Sequence, residues 1–315
     1  MKYGKIYITA AIFLFIGIII FSAGFAMMGF NIMNFDTEPA YIEKSYSLDG
    51  NVSSIIIEER DANINIVPSA DKKINIKYYE NGNKTYTIGK LADGSLSIKK
   101  NATADFFNNF LTISVSTPIL TVEIPENYDG KMVIENQNGN TAAEDICMGS
   151  IKAEAENGYI RIYKSRITGN LDVDSENGNV ELYETVVGGK AKLSCENGRL
   201  FSQAVTAEEI YTETENGFMA LVDTKAESTI FAESENGNIE LSSIEFEAGA
   251  TIISENGDIR GSVIGEESDF SYNCVATNGN SNLKDMVSQG RKQLNLRSEN
   301  GDIEISFLSA STPNE

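Results

Sequence analysis

The dipeptide Asn-Gly recurs along most of this 315-residue chain at a nearly fixed interval. Nine copies occur between residues 138 and 301, at steps of 19 to 22 residues, and seven of them are preceded by Glu. Repetition at a short fixed period is the signature of stacked units, each of which buries its apolar side against the next. The repeated asparagines are Asn138, Asn157, Asn177, Asn197, Asn216, Asn236, Asn256, Asn278 and Asn300.

Apolar and polar residues alternate on both sides of each Asn-Gly pair. Around the second pair, Ile151 and Ala153 precede the dipeptide, and Ile160 and Ile162 follow it. Alternation with a period of two predicts strands that bury one face and expose the other to water. A third, shorter segment with a bend near Gly169 would close the coil.

Two topologies fit this pattern. Asn-Gly between alternating strands is also a strong hairpin signal, so an antiparallel meander is the alternative. One bend of each repeat is nearly constant while the other varies, and equivalent residues recur in columns, which favours a parallel coil. We therefore predict an all-β fold: a parallel β-solenoid of about 20-residue coils, right-handed like most parallel crossovers, preceded by one N-terminal transmembrane helix. Nine coils stacked about 4.8 Å apart would form a rod of roughly 40 Å.

Each residue of the Glu-Asn-Gly corner has a predicted role. By the alternation, Asn points inward, where stacked side-chain amides would hydrogen-bond along the coil axis as a structural ladder. Gly would supply a backbone conformation that other residues resist. Glu would point outward, where carboxylates about 5 Å apart repel each other unless water or cations screen them. This outward Glu ridge consists of Glu156, Glu176, Glu196, Glu215, Glu235 and Glu255.

The Glu ridge is the one candidate metal site. Calcium prefers oxygen ligands of this kind, and Asp258 and Asp302 could add to them, although the glycine-rich calcium β-roll signature is absent. The alternative is a hydrated, salt-screened ridge. The chain has no His, which removes Ser-His-Asp and Cys-His catalysis. Acid pairs occur, but no distinctive cluster interrupts the repeat, so we predict no enzyme, no catalytic residues and no cofactor other than calcium.

Outward-facing aromatic residues concentrate on the early coils. A contiguous exposed aromatic patch indicates a site for a surface protein or a glycan. The alternative is that these large side chains only cover neighbouring strands. The residues are Tyr159, Tyr163, Tyr183, Phe201 and Phe218.

The cysteines do not indicate a disulfide scaffold. Cys195 and Cys274 both fall on inward positions, but they lie four repeats apart, or roughly 19 Å along the stack. A disulfide requires Cα atoms within about 7 Å of each other. We therefore interpret both as small buried hydrophobic residues.

A long uncharged run lies at the N-terminus. No charged residue occurs between Lys5 and Asp36, and a helix over residues 6–30 would be about 37 Å long, enough to span a hydrocarbon core of about 30 Å. Lys2 precedes the run, so the positive-inside rule puts the N-terminus in the cytoplasm and the repeats outside. We predict a single-pass plasma-membrane protein with the lipid bilayer as a partner. A cleaved signal peptide, with a cleavage signal at residues 24–26, is the alternative.

These features divide the chain into successive regions. The net charge of −21 makes nucleic acid an unfavourable partner. The predicted regions are an anchor at 1–33 with a short cytoplasmic N-terminus, a linker at 34–45, an irregular β cap with degenerate first coils at 46–130, regular repeats at 131–308 and a polar tail at 309–315.

The strand Ile55–Glu58, the strand and proline at Leu120–Pro125 and repeats such as Asp174–Leu182 resemble a bacterial family of uncharacterised, adhesin-like domains whose strand repeats contain Asn-Gly turns. The resemblance covers roughly residues 46–308. It implies a β-solenoid at the cell surface and supplies no catalytic residues. We therefore expect a non-catalytic interaction module that binds a surface protein or glycan. The alternative is a structural or accessory envelope component, in envelope-stress response or in scaffolding by self-association.

Overall fold

The computed structural model describes residues 2–27, 29, 40–49, 51–82, 84–102, 117–288 and 290–309. Residues 34–39 of the predicted linker and residues 310–315 of the predicted tail lie outside the described part. The N-terminal residues form one helix, α1 (Lys2–Met27), whose side chains are described from Phe13 onward.

The prediction of a transmembrane helix is not confirmed. Among the described residues, no helix is both long enough and apolar enough to cross a membrane. The expected bilayer contact through residues 6–30 and the single-pass topology are unconfirmed for the same reason. The fold class is corrected to an all-β solenoid that follows an N-terminal helix.

Beyond α1, the described chain is almost entirely β-structure. The first strands are β1 (Ile42–Asp49), β2 (Ser54–Glu59), β3 (Asn63–Pro68), β4 (Lys73–Glu80), β5 (Lys84–Lys90), β6 (Leu96–Ala102) and β7 (Ile119–Ile124). The regular coils contain β8 (Tyr128–Asn136), β9 (Thr141–Glu144), β10 (Cys147–Ala155), β11 (Ile160–Tyr163), β12 (Arg166–Ile167), β13 (Leu171–Ser175), β14 (Val180–Tyr183), β15 (Val186–Cys195), β16 (Leu200–Gln203), β17 (Thr206–Thr214), β18 (Met219–Val222), β19 (Lys225–Ser234), β20 (Ile239–Phe246), β21 (Gly249–Ser254) and β22 (Ile259–Ile264). The last strands are β23 (Phe270–Ala276), β24 (Met286–Val287), β25 (Lys292–Ser298) and β26 (Ile303–Leu308), with one turn of 3-10 helix at Glu267–Asp269.

Equivalent strands of successive coils pair in parallel. Strands that precede an Asn-Gly corner form sheet B, in which Ile151 is opposite Leu171 and Leu171 is opposite Ala191. Strands that follow a corner form sheet A, in which Ile160 is opposite Val180. The predicted parallel β-solenoid with coils of about 20 residues is confirmed, and the meander is wrong for the regular coils. The handedness of the coil stays a prediction.

Chain order and stacking order differ at both ends of the solenoid. Strand β2 pairs with β8 on one side and with β6 on the other, so the first coil lies inside the stack. At the other end β25 lies between β21 and β23. Antiparallel strands then extend both sheets: β4 pairs with β7, β1 with β4, β5 with β6, and β24 with β23. Such irregular terminal strands cover core that a regular last coil would leave exposed.

The inward residues form one continuous apolar core. Leu171, Val173 and Leu182 are each at most 1% exposed, and full burial of such a side chain stabilises the fold by about 1.5–3 kcal/mol. Cys195 and Cys274 are buried in this core, and the cysteines of the described chain are free thiols. Burial raises the pKa of the Cys195 thiol to about 11, so this thiol stays protonated at neutral pH.

Candidate interaction surface

The Asn column lies on the surface of the solenoid. Asn157, Asn177 and Asn197 are exposed, so the predicted inward orientation is wrong. The side chains form a ladder along the axis, in which Nδ2 of each Asn donates to Oδ1 of its neighbour at 2.9–3.2 Å. The ladder begins at Asp61, whose Oδ1 accepts from Asn138 Nδ2 at 3.2 Å, and it ends at Asn278.

The inward place at the corner belongs to the residue three positions before Gly. Ser175, Ser254 and Ser298 are buried, and each hydroxyl donates to the carbonyl of a corner Gly in the neighbouring coil at 3.0–3.2 Å. The two residues that follow Ser175, Glu176 and Asn177, are both exposed. Strict alternation holds only along an extended strand, and it ends where the backbone turns, which is why it assigned Asn to the wrong side.

Close packing explains the corner glycines. None of them is among the described residues with positive φ, so the predicted conformational reason is wrong. A Cβ on Gly217 would lie 1.7 Å from the carbonyl oxygen of Gly198, and one on Gly237 would lie 1.8 Å from that of Gly217. Because these contacts involve backbone atoms of the next coil, no side chain fits at this position.

The Glu ridge is exposed at the same corner. Desolvation by the neighbouring coils, and then the charges of Glu215 and Glu176, raise the pKa of Glu196 above its ordinary value. Among the described residues, no group of three or more acidic or Cys side chains could hold a metal ion. The carboxylates of Asp258 and Asp302 accept backbone N–H groups of the adjacent coil at 2.8 Å. The calcium site therefore stays a prediction.

Three of the five predicted aromatic residues form ring contacts on the outer face of sheet A. The rings of Tyr163 and Tyr183 are opposite each other on adjacent strands, with centroids 6.4 Å apart, and the rings of Tyr183 and Phe201 are 5.2 Å apart. Tyr159 precedes β11, at the other end of this strand from Tyr163, and is 36% exposed. Phe218 precedes Met219, which is opposite Leu200 on the adjacent coil.

Cations lie over these rings, which sequence reasoning missed. The Arg199 guanidinium is 4.4 Å from the ring centroid of Phe201 and 5.6 Å from that of Phe218. Arg161 lies 5.3 Å from the Tyr159 ring, and Lys164 lies 4.8 Å from the Tyr163 ring. The sequence did contain a signal for Arg161: the alternation of inward and outward residues places it on the same outward face as Tyr159 and Tyr163. We call this surface the aromatic–arginine patch: Tyr159, Arg161, Tyr163, Lys164, Tyr183, Arg199, Phe201 and Phe218.

Glu181 binds one of the cations of the patch, Arg161. Arg161 Nη2 is 2.6 Å and its Nε is 2.8 Å from Glu181 Oε2, which fixes the guanidinium on the neighbouring strand. The hydrogen bond to Glu181 raises the pKa of Arg161, so Arg161 stays charged and paired with Glu181 over the physiological range.

A buried ion pair at the N-terminal end of the stack was also missed. Glu59 occupies the inward corner position opposite Asn136, and Lys100 Nζ lies 3.3 Å from Glu59 Oε1. Tyr86 donates its hydroxyl to Glu59, and Lys100 lies 3.1 Å from Tyr86 Oη. Burial raises the pKa of Glu59, but Lys100, Tyr86 and backbone N–H groups outweigh it, so the net pKa lies below its ordinary value. The corner at residues 59–62 lacks the Asn-Gly dipeptide, and this departure from the repeat was the signal in the sequence. Asp61 of this corner is the first residue of the Asn ladder.

The stacked corners, covered ends and patterned faces define a capped parallel β-solenoid. Residues 52–306 match the model of the Toastrack DUF4097 family, and the chain belongs to that family. The fold is similar to that of a protein named as a putative adhesin from Parabacteroides merdae, with 13% identity and a TM-score of 0.51 over 86% of this chain and 98% of that one. A putative adhesin from Bacteroides fragilis has 13% identity and a TM-score of 0.47 over 85% and 97%. A comparison with curated proteins gives no match.

Proposed function

We propose that this protein is a non-catalytic, adhesin-like interaction module that acts at the cell surface and binds a protein partner through the aromatic–arginine patch. The observation that carries the proposal is the patch itself, in which rings of adjacent coils contact each other and cations lie over four of the rings. Tyr, Phe and Arg are enriched in protein interfaces, and Tyr and Arg recur among the residues that contribute most to binding. The name of the Parabacteroides merdae protein agrees with such a role.

The rigidity of the patch supports binding without large rearrangement. Tyr163 and Tyr183 stand on strands whose backbones pair over their whole length, and Glu181 holds Arg161. A surface that is already ordered loses little conformational entropy when it binds.

The charge of the patch favours an acidic partner. The chain has a net charge of −21, yet Arg199 lies over the rings of Phe201 and Phe218, Lys164 lies over Tyr163 at the adjoining corner, and Arg161 is paired with Glu181. Opposite charges across an interface speed association and select the partner. A protein that presents carboxylates beside apolar groups would complement this surface.

Binding of the purified full chain to immobilised cell-wall and membrane fractions tests the proposal. We expect Tyr183→Ala and Arg199→Ala each to weaken binding about tenfold, as loss of a strong interface residue does. The control is Tyr211→Ala on sheet B, which removes a ring stacked 4.8 Å from Phe231 outside the patch and should leave the affinity unchanged.

Treatment of the fractions identifies the class of partner. Protease digestion should abolish binding, and periodate oxidation of sugars should not. The opposite result would replace the protein partner with a glycan. If neither fraction binds the wild type, the interaction module is rejected in favour of an accessory envelope component, for which sedimentation analysis would measure self-association.

A further inference from the structure

The Asn ladder has a direction, and its two ends therefore differ. Every interior Asn donates one side-chain hydrogen bond toward the N-terminal end and accepts one from the next rung; Asn177, for example, donates to Asn157 and accepts from Asn197. The first rung needs only to accept, and it is Asp61. The last rung, Asn278, donates to Asn300 Oδ1 at 2.9 Å, and within the described residues no donor reaches its own Oδ1.

An Asn that is followed by Gly is prone to deamidation. The amide nitrogen of Gly can attack Cγ of the preceding Asn because Gly has no side chain to hinder the approach. The nitrogen gives up its proton to solvent and bonds to Cγ, and the Asn side-chain nitrogen leaves as ammonia. Water then opens the five-membered imide at one of its two carbonyls and leaves Asp or isoaspartate. The net change is one water consumed and one ammonia released.

We propose that the Asn ladder is a site of spontaneous deamidation whose order is set by the hydrogen bonds of each rung, with Asn278 reacting first. To bring Cγ to the next nitrogen, the side chain must rotate out of the ladder. An interior Asn breaks two rung hydrogen bonds in doing so, and Asn278 breaks one. Asn278 should therefore react about fivefold faster than an interior rung, which is the factor that one hydrogen bond of ordinary net strength supplies.

The opposite end of the ladder is the most protected. Asn138 donates to the carboxylate of Asp61 and accepts from Asn157, and hydrogen bonds to charged groups are stronger than neutral ones. In addition, the attacking nitrogen of Gly139 is occupied, because its N–H donates to Asn136 Oδ1 at 3.3 Å. Asn138 should react last.

Reaction at Asn278 should loosen the terminal coil. An Asp at this position cannot donate to Asn300 and would place a second acceptor against its oxygen. An isoaspartate adds an atom to the backbone at a corner without spare room, where a Cβ on Gly279 would lie 2.1 Å from the carbonyl oxygen of Gly301. Strand β23, which pairs with β25 next to this corner, should then open more often.

Ageing of the purified full chain at mildly alkaline pH tests the order. Peptide mapping by mass spectrometry separates the Asn, Asp and isoaspartate forms of each site, and each rate is divided by the rate of the same site in the denatured chain. We expect Asn278 first, interior rungs later and Asn138 last. Hydrogen exchange should show faster opening of β23 in the aged protein.

A break inside the ladder gives the second test. Asn197→Ala removes the donor to Asn177 and the acceptor of Asn216, so both should react about fivefold faster while Asn256 keeps its rate. The control, Glu196→Ala, changes the same exposed corner without touching a rung and should leave the order unchanged. Circular dichroism confirms that both variants fold. The proposal is overturned if Asn278 reacts no faster than Asn236, or if Asn197→Ala leaves Asn177 at its wild-type rate.

Discussion

The two corners of each coil, the Asn-Gly corner after sheet B and a second corner after sheet A, are built from different contacts. The Asn-Gly corner is nearly constant in sequence, yet its glycines do not have positive φ. At the second corner, successive coils place a non-glycine residue in the left-handed region, with φ between 45° and 57°. These residues are Asp145, Lys164, Glu184, Ala204, Asp223 and Ser243.

The difference lies in which atoms join one coil to the next. At the second corner, the backbone N–H of Lys164 donates to the carbonyl of Tyr183 at 3.1 Å, and that of Glu184 donates to the carbonyl of Gln203 at 2.9 Å. Every residue except proline has these groups, so the sequence is free to vary. At the Asn-Gly corner, backbone hydrogen bonds also join the coils, as from the N–H of Asn177 to the carbonyl of Glu156 at 2.8 Å, but the side-chain amides of the ladder and the close approach of two glycine backbones are added to them. Residue types are therefore repeated where side chains make contacts between coils. The left-handed backbone of the second corner does not require a repeated residue type.

The largest effect on stability is expected at Glu59, which occupies the inward corner position at the N-terminal end of the stack. Lys100→Met leaves Glu59 buried without its cation, which should reduce the free energy of unfolding by about 3–5 kcal/mol. Lys99→Met is the matched control: Lys99 pairs with Glu58 at the surface and should change the stability by less than about 1 kcal/mol. Urea unfolding at neutral pH measures both.

The pH dependence sharpens this expectation. Because the folded-state pKa of Glu59 is lowered, the stabilisation by its carboxylate is present above the unfolded-state pKa of about 4.3. It is lost as the pH falls through the folded-state pKa. The difference between wild type and Lys100→Met should therefore shrink below about pH 4. A difference that is the same at neutral and acid pH would contradict the ion pair as its cause.

The glycine of the corner should tolerate no side chain. Gly217→Ala places a Cβ against the carbonyl of Gly198, and the overpacking should destabilise the fold by about 3 kcal/mol. Gly89→Ala in β5 is the control, because a Cβ there meets nothing within 4 Å. If both variants unfold at the same urea concentration, close packing does not explain the glycine.

Substitutions of exposed residues should separate the two corners. Asn197→Ala removes two rung hydrogen bonds and should cost about 1–2 kcal/mol. Glu184→Ala at the second corner removes an exposed side chain but leaves the backbone hydrogen bond intact, so the stability should stay within about 0.5 kcal/mol of wild type. Equal losses in urea unfolding would contradict the difference between the corners.

Much of this fold could be predicted from the sequence, because the Asn-Gly period and the alternation of apolar residues such as Ile160 and Ile162 reflect regular coils. The alternation could not place Asn177, since the rule assumes an extended strand and the chain turns there. An irregular β cap could be predicted before the repeats, but the stacking order at the two ends could not, because the corner at residues 59–62 lacks Asn-Gly and the stacking order departs from the chain order. The outward position of the aromatic residues could be predicted from the alternation of inward and outward residues. The positions of the cations over the rings could not, because they depend on side-chain conformations that a sequence repeat does not specify.

A small gain in stability is expected at the second corner. Ala204 has a φ of 53°, a conformation that is unfavourable for residues with a Cβ. Ala204→Gly should therefore stabilise the fold by roughly 0.5–1 kcal/mol. Ala142→Gly in β9 is the control, because glycine in an extended strand only adds entropy to the unfolded chain and should destabilise by a similar amount. Loss of stability in Ala204→Gly would show that the left-handed backbone is not strained.

The smallest effect is expected on the outer side of the Asn-Gly corner, at the Glu ridge. Because the folded-state pKa of Glu196 is raised, its contribution favours folding at acid pH and is lost as the pH rises through the folded-state value. Glu196→Gln should therefore raise the melting temperature slightly at neutral pH and leave it unchanged at acid pH. Glu184→Gln at the second corner is the control, and added NaCl should shrink the difference by screening the ridge.

The same variant decides whether the ridge binds calcium or is only screened by salt. A bound ion stabilises the folded state in proportion to the logarithm of its concentration, so CaCl2 should raise the wild-type melting temperature above that in NaCl of equal ionic strength. EDTA should reverse the increase, and Glu196→Gln should reduce it, because the substitution removes one carboxylate from the row. If CaCl2 and NaCl act alike on both proteins, the calcium prediction is wrong. The Glu of the Asn-Gly corner would then have no more of a structural role than the exposed side chains of the second corner, whose residue types vary from coil to coil.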